Sequence, residues 1–248
     1  MSGQLILAVE TATRKGSIAL AKGEAVLASQ VGDAAVSHSA HLIEVIESVL
    51  RDAGVQLSDV DLFAAAVGPG SFTGLRIGLA TVKALATCTE RKVVGVNTLE
   101  AIAHASRASG RVVSMLPAGR GEVFAQLFLV KNGTPQSLDE AAHLPPRALL
   151  EKYGKQSPLC WAGDGAHQQA DTLSTWARDN NLQFNEGESN SGWRVVPETN
   201  NLAASVASIA LTDYREGNST SPQALHASYV RASDAEINER WQHEKASR

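Results

Sequence analysis

A chain of 248 residues, 44% of them apolar, holds enough material for one large α/β domain or two lobes of ordinary size. Aromatics make up only 5%, which argues against aromatic-lined sugar or base pockets, and a net charge of −4 with scattered Lys and Arg argues against gripping nucleic acid unaided. Met1 to Glu10 carries no basic leader or cleavage signature, no apolar run approaches a membrane span, and the isolated Cys88 and Cys160 read as buried reduced thiols, so the expectation is a cytoplasmic protein.

The apolar run Leu5 to Val9 predicts a first strand, ending in the polar stretch Glu10 to Gly16. Ser17 to Ala21 and Ala25 to Val31 read as two more strands joined by a Lys22-Gly23 turn. Leu42, Ile43, Val45, Ile46, Val49 and Leu50 then recur at helical spacing, with Ser37 or Ser39 as cap and Gly54 just past the end. Leu62 to Val67 has too little polarity for a half-exposed strand and is expected inside a sheet. A helix from about Gly74 to Thr89 follows, then a strand at Val93 to Val96 and a helix capped by Thr98.

The second half repeats this order of elements, though not its residues. Arg111 to Leu116 and Glu122 to Val130 predict strands around a Lys131-Asn132-Gly133 turn; helices are expected over Pro146 to Tyr153, Ala166 to Ala177 and Asn201 to Tyr214, with a strand at Leu159 to Ala162. Asn185 to Gly192 reads as a surface loop. The expected division is an N-terminal lobe at 1–108 and a C-terminal lobe at 109–248, whose charged tail is open to a helix or a frayed end and can pack back on the first lobe.

The segment from Gly68 to Gly78 carries the most information. Gly68 and Gly70 allow unusual backbone angles, Pro69 stiffens the turn, and Ser71 or Thr73 can cap the helix that follows. The segment fails three catalytic templates. A phosphate-binding loop would need Gly-Lys-Ser/Thr after four residues, but Thr73 stands five after Gly68 and no Lys follows. The dinucleotide fingerprint lacks its third Gly at Thr73, and a nucleophile elbow has Pro69 and Thr73 in place of both glycines.

What the segment offers instead is small residues at helical spacing. Gly70, Gly74 and Gly78 form one stripe, and Ala80, Ala84 and Cys88 a neighbouring one. The helix is apolar nearly all round and must be covered on both sides, by its own chain or by another; the residues alone leave both open. His38 and His41 lie three apart with no third ligand nearby, so no metal site is expected.

Val9 to Thr13, His38-Ser39, the Gly68-to-Gly78 run, Gly95 to Leu99, Gly121 to Phe124 and Ala227 to Arg231 together resemble the TsaB (YeaZ-like) family of threonylcarbamoyladenosine biosynthesis subunits. The resemblance implies the α/β, actin-like and sugar-kinase-like ATPase (ASKHA) fold with two duplicated lobes. It also implies a non-catalytic subunit that binds and activates a larger TsaD-type homologue. That partner transfers threonylcarbamoyl to the adenosine 3′ of the anticodon in tRNA. A TsaE-type ATPase joins the pair, the chain forms a homodimer when alone, and tRNA is met only through the complex.

On this resemblance the partner-binding residues are His38, His41, Val45, Gly70, Gly74, Leu75, Arg76, Gly78, Leu79 and Lys83. No intrinsic cofactor is implied, and a nucleotide at a shared interface stays open; Glu10, Thr11 and Thr13 are the residues that would touch one. The sequence departs from the family where Pro117-Ala118-Gly119-Arg120 replaces Asp-Ala-Arg, which removes a carboxylate that catalytic relatives could use. Arg120 is the candidate to replace the missing Arg. The alternatives are a phosphotransferase or ATPase of the same superfamily, using Glu10 and the Thr11-to-Thr13 turn, and a peptidase, for which no nucleophile–base set is recognisable.

Overall fold

The structure is a computed structural model describing residues 3–33, 38–185 and 192–230, without the side chains of 38–40. Ser37, most of the Asn185-to-Gly192 stretch and the tail beyond 230 lie outside the described residues.

The first lobe is built on β1 (Leu5–Glu10), β2 (Ser17–Lys22), β3 (Ala25–Val31), β4 (Leu62–Gly68) and β5 (Lys92–Asn97), in the sheet order β3-β2-β1-β4-β5. β1 runs antiparallel to β2 and parallel to β4, and every residue of β1 is buried. Successive side chains of a strand point to opposite faces, so β1 serves two cores. Leu5, Leu7 and Val9 face α1 (His38–Asp52) and α2 (Phe72–Cys88), whereas Ile6 and Ala8 face the other lobe. The expected interior position of Leu62 to Val67 holds, since β4 lies between β1 and β5.

The second lobe repeats the plan. Its strands are β6 (Gly110–Gly119), β7 (Glu122–Lys131), β8 (Thr134–Ser137), β9 (Ala142–Leu144), β10 (Leu159–Ala162), β11 (Phe184–Asn185) and β12 (Trp193–Val195). The order β8-β7-β6-β10-β12 reproduces β3-β2-β1-β4-β5, with the same antiparallel hairpin followed by parallel strands; β11 is added at the edge and β9 pairs with β7. Two duplicated α/β lobes result. α4 (Pro146–Tyr153), α5 (Asp164–Gln168) and α6 (Ala170–Asp179) cover the outer face of this sheet, where Trp161 and Trp193 meet edge to face at 4.8 Å.

Between the sheets lie α3 (Thr98–Ala105) and α7 (Leu202–Arg215). α3 packs on β6 and β7, and α7 on β1 and β2, so each lobe's last helix rests on the other lobe's sheet. Both helices belong to one apolar core shared by the two lobes.

Several expectations need correction. Thr98 does not cap α3; it is the first helical residue, and Asn97 Oδ1 accepts from the Leu99 and Glu100 amides. Ser39 lies within α1 rather than capping it. The single helix expected over Ala166 to Ala177 breaks at Gln169, whose side chain donates to the Gly121 carbonyl at 3.0 Å. Cys88 is exposed, not buried, because it falls on the outer side of α2; Cys160 is buried as expected.

Candidate functional site

The loop from β4 into α2 is fastened to the end of β1. The Ser71 amide donates to the Ala12 carbonyl at 2.8 Å, and Ser71 Oγ accepts from the Gly74 amide at 3.2 Å, capping α2. The Thr11 hydroxyl donates to the Gly74 carbonyl at 2.8 Å. A Cβ on Gly70 or Gly74 would collide with the backbone of Ala12 or Thr11, and one on Gly78 with the Thr11 hydroxyl. Gly68 has φ +116°, whereas Gly70 is near-extended and is required for close approach rather than for its angle.

The glycine stripe is therefore sealed by the chain itself, which corrects the expectation that another polypeptide completes it. Gly70, Gly74, Leu75, Gly78 and Leu79 all face inward: the glycines against β1, Leu75 in the shared core and Leu79 in the outer core of the first lobe. Lys83 is engaged as well, donating to the Leu225 carbonyl at 2.9 Å. Val45 is half-buried beside the core of the first lobe. His41 is exposed with its Nδ1 at 2.7 Å from Glu44, and the His38 side chain lies outside the described residues.

What α2 presents to solvent is the other stripe. Thr73, Arg76, Ala80, Ala84, Thr87 and Cys88 are exposed, and on the neighbouring α1 Ile43 is 49% exposed. One end of this face is organised by the segment 225–230. Its Ser228 amide donates to the Val67 carbonyl at 2.7 Å, and Tyr229 stacks on Phe72 at 5.2 Å between ring centroids. The Arg76 guanidinium covers the Phe72 ring at 3.8 Å.

Glu10 and Thr13 serve the turn after β1. The buried Glu10 carboxylate accepts from the Thr13 amide at 2.6 Å, the Thr13 hydroxyl at 2.8 Å and the Ser17 hydroxyl at 3.4 Å. With Thr11 bonded to Gly74, the groups assigned to a nucleotide are occupied in holding the turn and α2. Among the described residues no three His, Cys, Asp or Glu side chains converge.

A cleft of about 540 Å³ opens between the lobes. One wall is Ala12 to Arg14 and Pro69 to Phe72; the other includes Leu116 to Ala118, Asp164 and Gln168, and Ser228 to Val230 close one side. Pro117 lines this cleft, while Arg120 sits at the exposed hairpin tip, away from the lining residues. Sequence reading missed Gly163-Asp164-Gly165. It follows β10 as Pro69-Gly70 follows β4, and its glycines close on Met115 within β6 as Gly70 and Gly74 close on Ala12 and Thr11 just past β1. Burial, then Glu198, raises the Asp164 carboxyl above its ordinary range, while Lys15 and His167 act against the rise.

The α3–α7 contact holds a second titrating group. Burial and the Asp213 carboxylate push Glu100 up to about 7, and burial, then Arg107, lowers His104, whose Nδ1 lies 3.0 Å from Ser205 Oγ.

The family model described as TsaD, tRNA N6-adenosine threonylcarbamoyltransferase, matches residues 29–216. The tRNA threonylcarbamoyladenosine biosynthesis protein TsaB of Escherichia coli is 30% identical over 74% of this chain and 79% of its own length. The chain belongs to the TsaB family. The Bacillus subtilis TsaB protein is 33% identical over 52% of this chain, a match spanning 56% of that relative. In fold, the chain is similar to a solved Pseudomonas aeruginosa protein described as similar to peptidase YeaZ. The TM-score is 0.76 at 24% identity, covering 92% of this chain and 100% of that one. No helix among the described residues is long and apolar enough to cross a membrane.

Proposed function

We propose that this TsaB-family chain is a non-catalytic subunit for threonylcarbamoyl transfer to the adenosine 3′ of the anticodon in tRNA, and that it acts by binding and activating a TsaD-type homologue. The observation that carries this reading is the outward face of α2. Ala80, Ala84 and Cys88 are small and exposed on successive turns, beside the exposed Ile43 of α1. Small residues at this spacing let a partner helix approach closely, and Arg76 and Tyr229 at the end of the stripe are residue types that anchor protein interfaces. His41 and Val45 border the same region of the N-terminal half, 1–108. Without the TsaD-type partner the same face joins two copies of the chain; with it, a TsaE-type ATPase joins the pair and tRNA is met through the assembly. The work is done in the cytoplasm.

The engagement of Glu10, Thr11 and Thr13 in the turn after β1 supports a supporting role over independent phosphotransfer. The test is co-expression with a TsaD-type homologue and mass measurement of the purified complex. An Ala84→Arg chain that folds but no longer co-purifies is the expected result. Undiminished pairing by that variant, or no pairing by the natural chain, overturns the reading.

A further inference from the structure

The cleft between the lobes contains a pairing that the fold leaves unmade. Arg14 lines its first-lobe wall and Asp164 its second-lobe wall. Among the described residues neither side chain makes a hydrogen bond or an ion pair, with each other or with any neighbour. The surrounding charges are already matched: Lys15 lies 3.8 Å from Glu198 and donates to Asn200 at 2.7 Å, and His167 Nε2 lies 2.9 Å from the Val196 carbonyl. The rest of the lining is mixed, apolar at Leu75, Leu116, Phe124 and Val230 and polar at Ser71 and Gln168. Lys15 and His167 act on the half-buried Asp164 carboxylate without contacting it, and burial, then Glu198, still bias it toward its neutral form.

We propose that this cleft binds a free α-amino acid, its ammonium on Asp164, its carboxylate on Arg14, and its side chain on the apolar lining. A phosphate-bearing ligand fits less well. Asp164 would repel it, and the one unmatched cation lining the cleft, Arg14, stands at the exposed mouth. A purely apolar ligand would leave both charges unanswered. A zwitterion answers both and keeps the site neutral, and the available volume suits a molecule of amino-acid size with water. This inference concerns the chain alone and does not rest on the TsaD-type partnership.

The test screens the twenty standard L-amino acids against the full chain by thermal shift, then measures the best by calorimetry. Two one-ended relatives of that amino acid follow: its decarboxylated amine and its des-amino acid. Saturable binding is expected for the amino acid, at least ten-fold weaker for each relative. Asp164→Asn is expected to weaken amino-acid binding at least ten-fold while leaving the des-amino acid unaffected, and Arg14→Gln to weaken it while leaving the amine unaffected. The analogue series stands even if one variant fails to fold. No binding by any amino acid, equal binding by the one-ended relatives, or indifference of folded variants overturns the proposal.

Discussion

The hydroxyl of Thr11 donates to the carbonyl oxygen of Gly74 and, one turn further along α2, occupies the place a side chain on residue 78 would need. The end of β1 thus lies in a trough of missing side chains. This contact fixes α2 against the sheet and decides which of its faces is left for others.

Gly78→Ala is expected to lower stability by about 1–3 kcal/mol, since the new methyl must displace a buried strand end. Thr11→Ala alone loses one buried hydrogen bond, about 1 kcal/mol. Combining the two removes the collision, so the double variant should be more stable than the sum of the singles by about 1 kcal/mol. Denaturant titration of the four chains measures this; strict additivity would contradict the packing.

Glu10→Ala leaves the Thr13 amide, its hydroxyl and the Ser17 hydroxyl without their shared acceptor. A loss of at least about 2 kcal/mol is expected. Calorimetric titration with Mg-ATP should give the same trace for natural and variant chains, because the carboxylate serves the turn. A nucleotide signal that disappears with Glu10 would restore the phosphotransfer reading.

Ala80→Arg and Ala84→Arg should change stability by no more than about 0.5 kcal/mol, as both positions are exposed. Pairing should fail in both. Cys88 reports on the same face: a thiol reagent should modify it rapidly in the free chain and slowly once the TsaD-type partner is bound, while Cys160 reacts only on unfolding. Equal Cys88 reactivity in the two states would move the interface elsewhere.

Glu100 makes stability depend on pH in a defined sense. Its folded value, about 7, lies above the ordinary 4.5, so between these values the folded state holds a proton that the unfolded state has released. Stability should fall as pH rises through that window and level off above it. Asp213, also raised chiefly by burial, works in the same direction. Glu100→Gln should flatten the slope and raise the melting temperature at pH 8 by roughly 2–4 °C, the change that about 1 kcal/mol brings in a domain of this size. A melting profile that is unaltered between pH 5 and 8 would remove Glu100 from this role.

Much of the architecture is legible in the sequence, for reasons that also set the limits. Leu5 to Val9 and Leu62 to Val67 are apolar on both faces and become central strands; the spacing of Leu42, Ile46, Val49 and Leu50 fixes the buried side of α1. Periodicity says which residues share a face but not what that face meets. Spacing groups the Gly70-Gly74-Gly78 stripe, yet Thr11, which meets Gly74 and Gly78, stands just past β1, far earlier in the chain. Asp164 escaped notice because its helix has five residues, too short for a pattern, and because Pro69 stands where it does in the other lobe. The three residues of β12 carry no alternation long enough to read, although Trp193 is fully buried.

The crossed placement of α3 and α7 has a consequence for how the gap between the lobes behaves. Each half supplies the inner wall of the other, so swinging the halves apart would strip apolar surface from both at once. A bound molecule would therefore meet an opening whose width is set when the chain folds, and affinity there would come from fit rather than from closure.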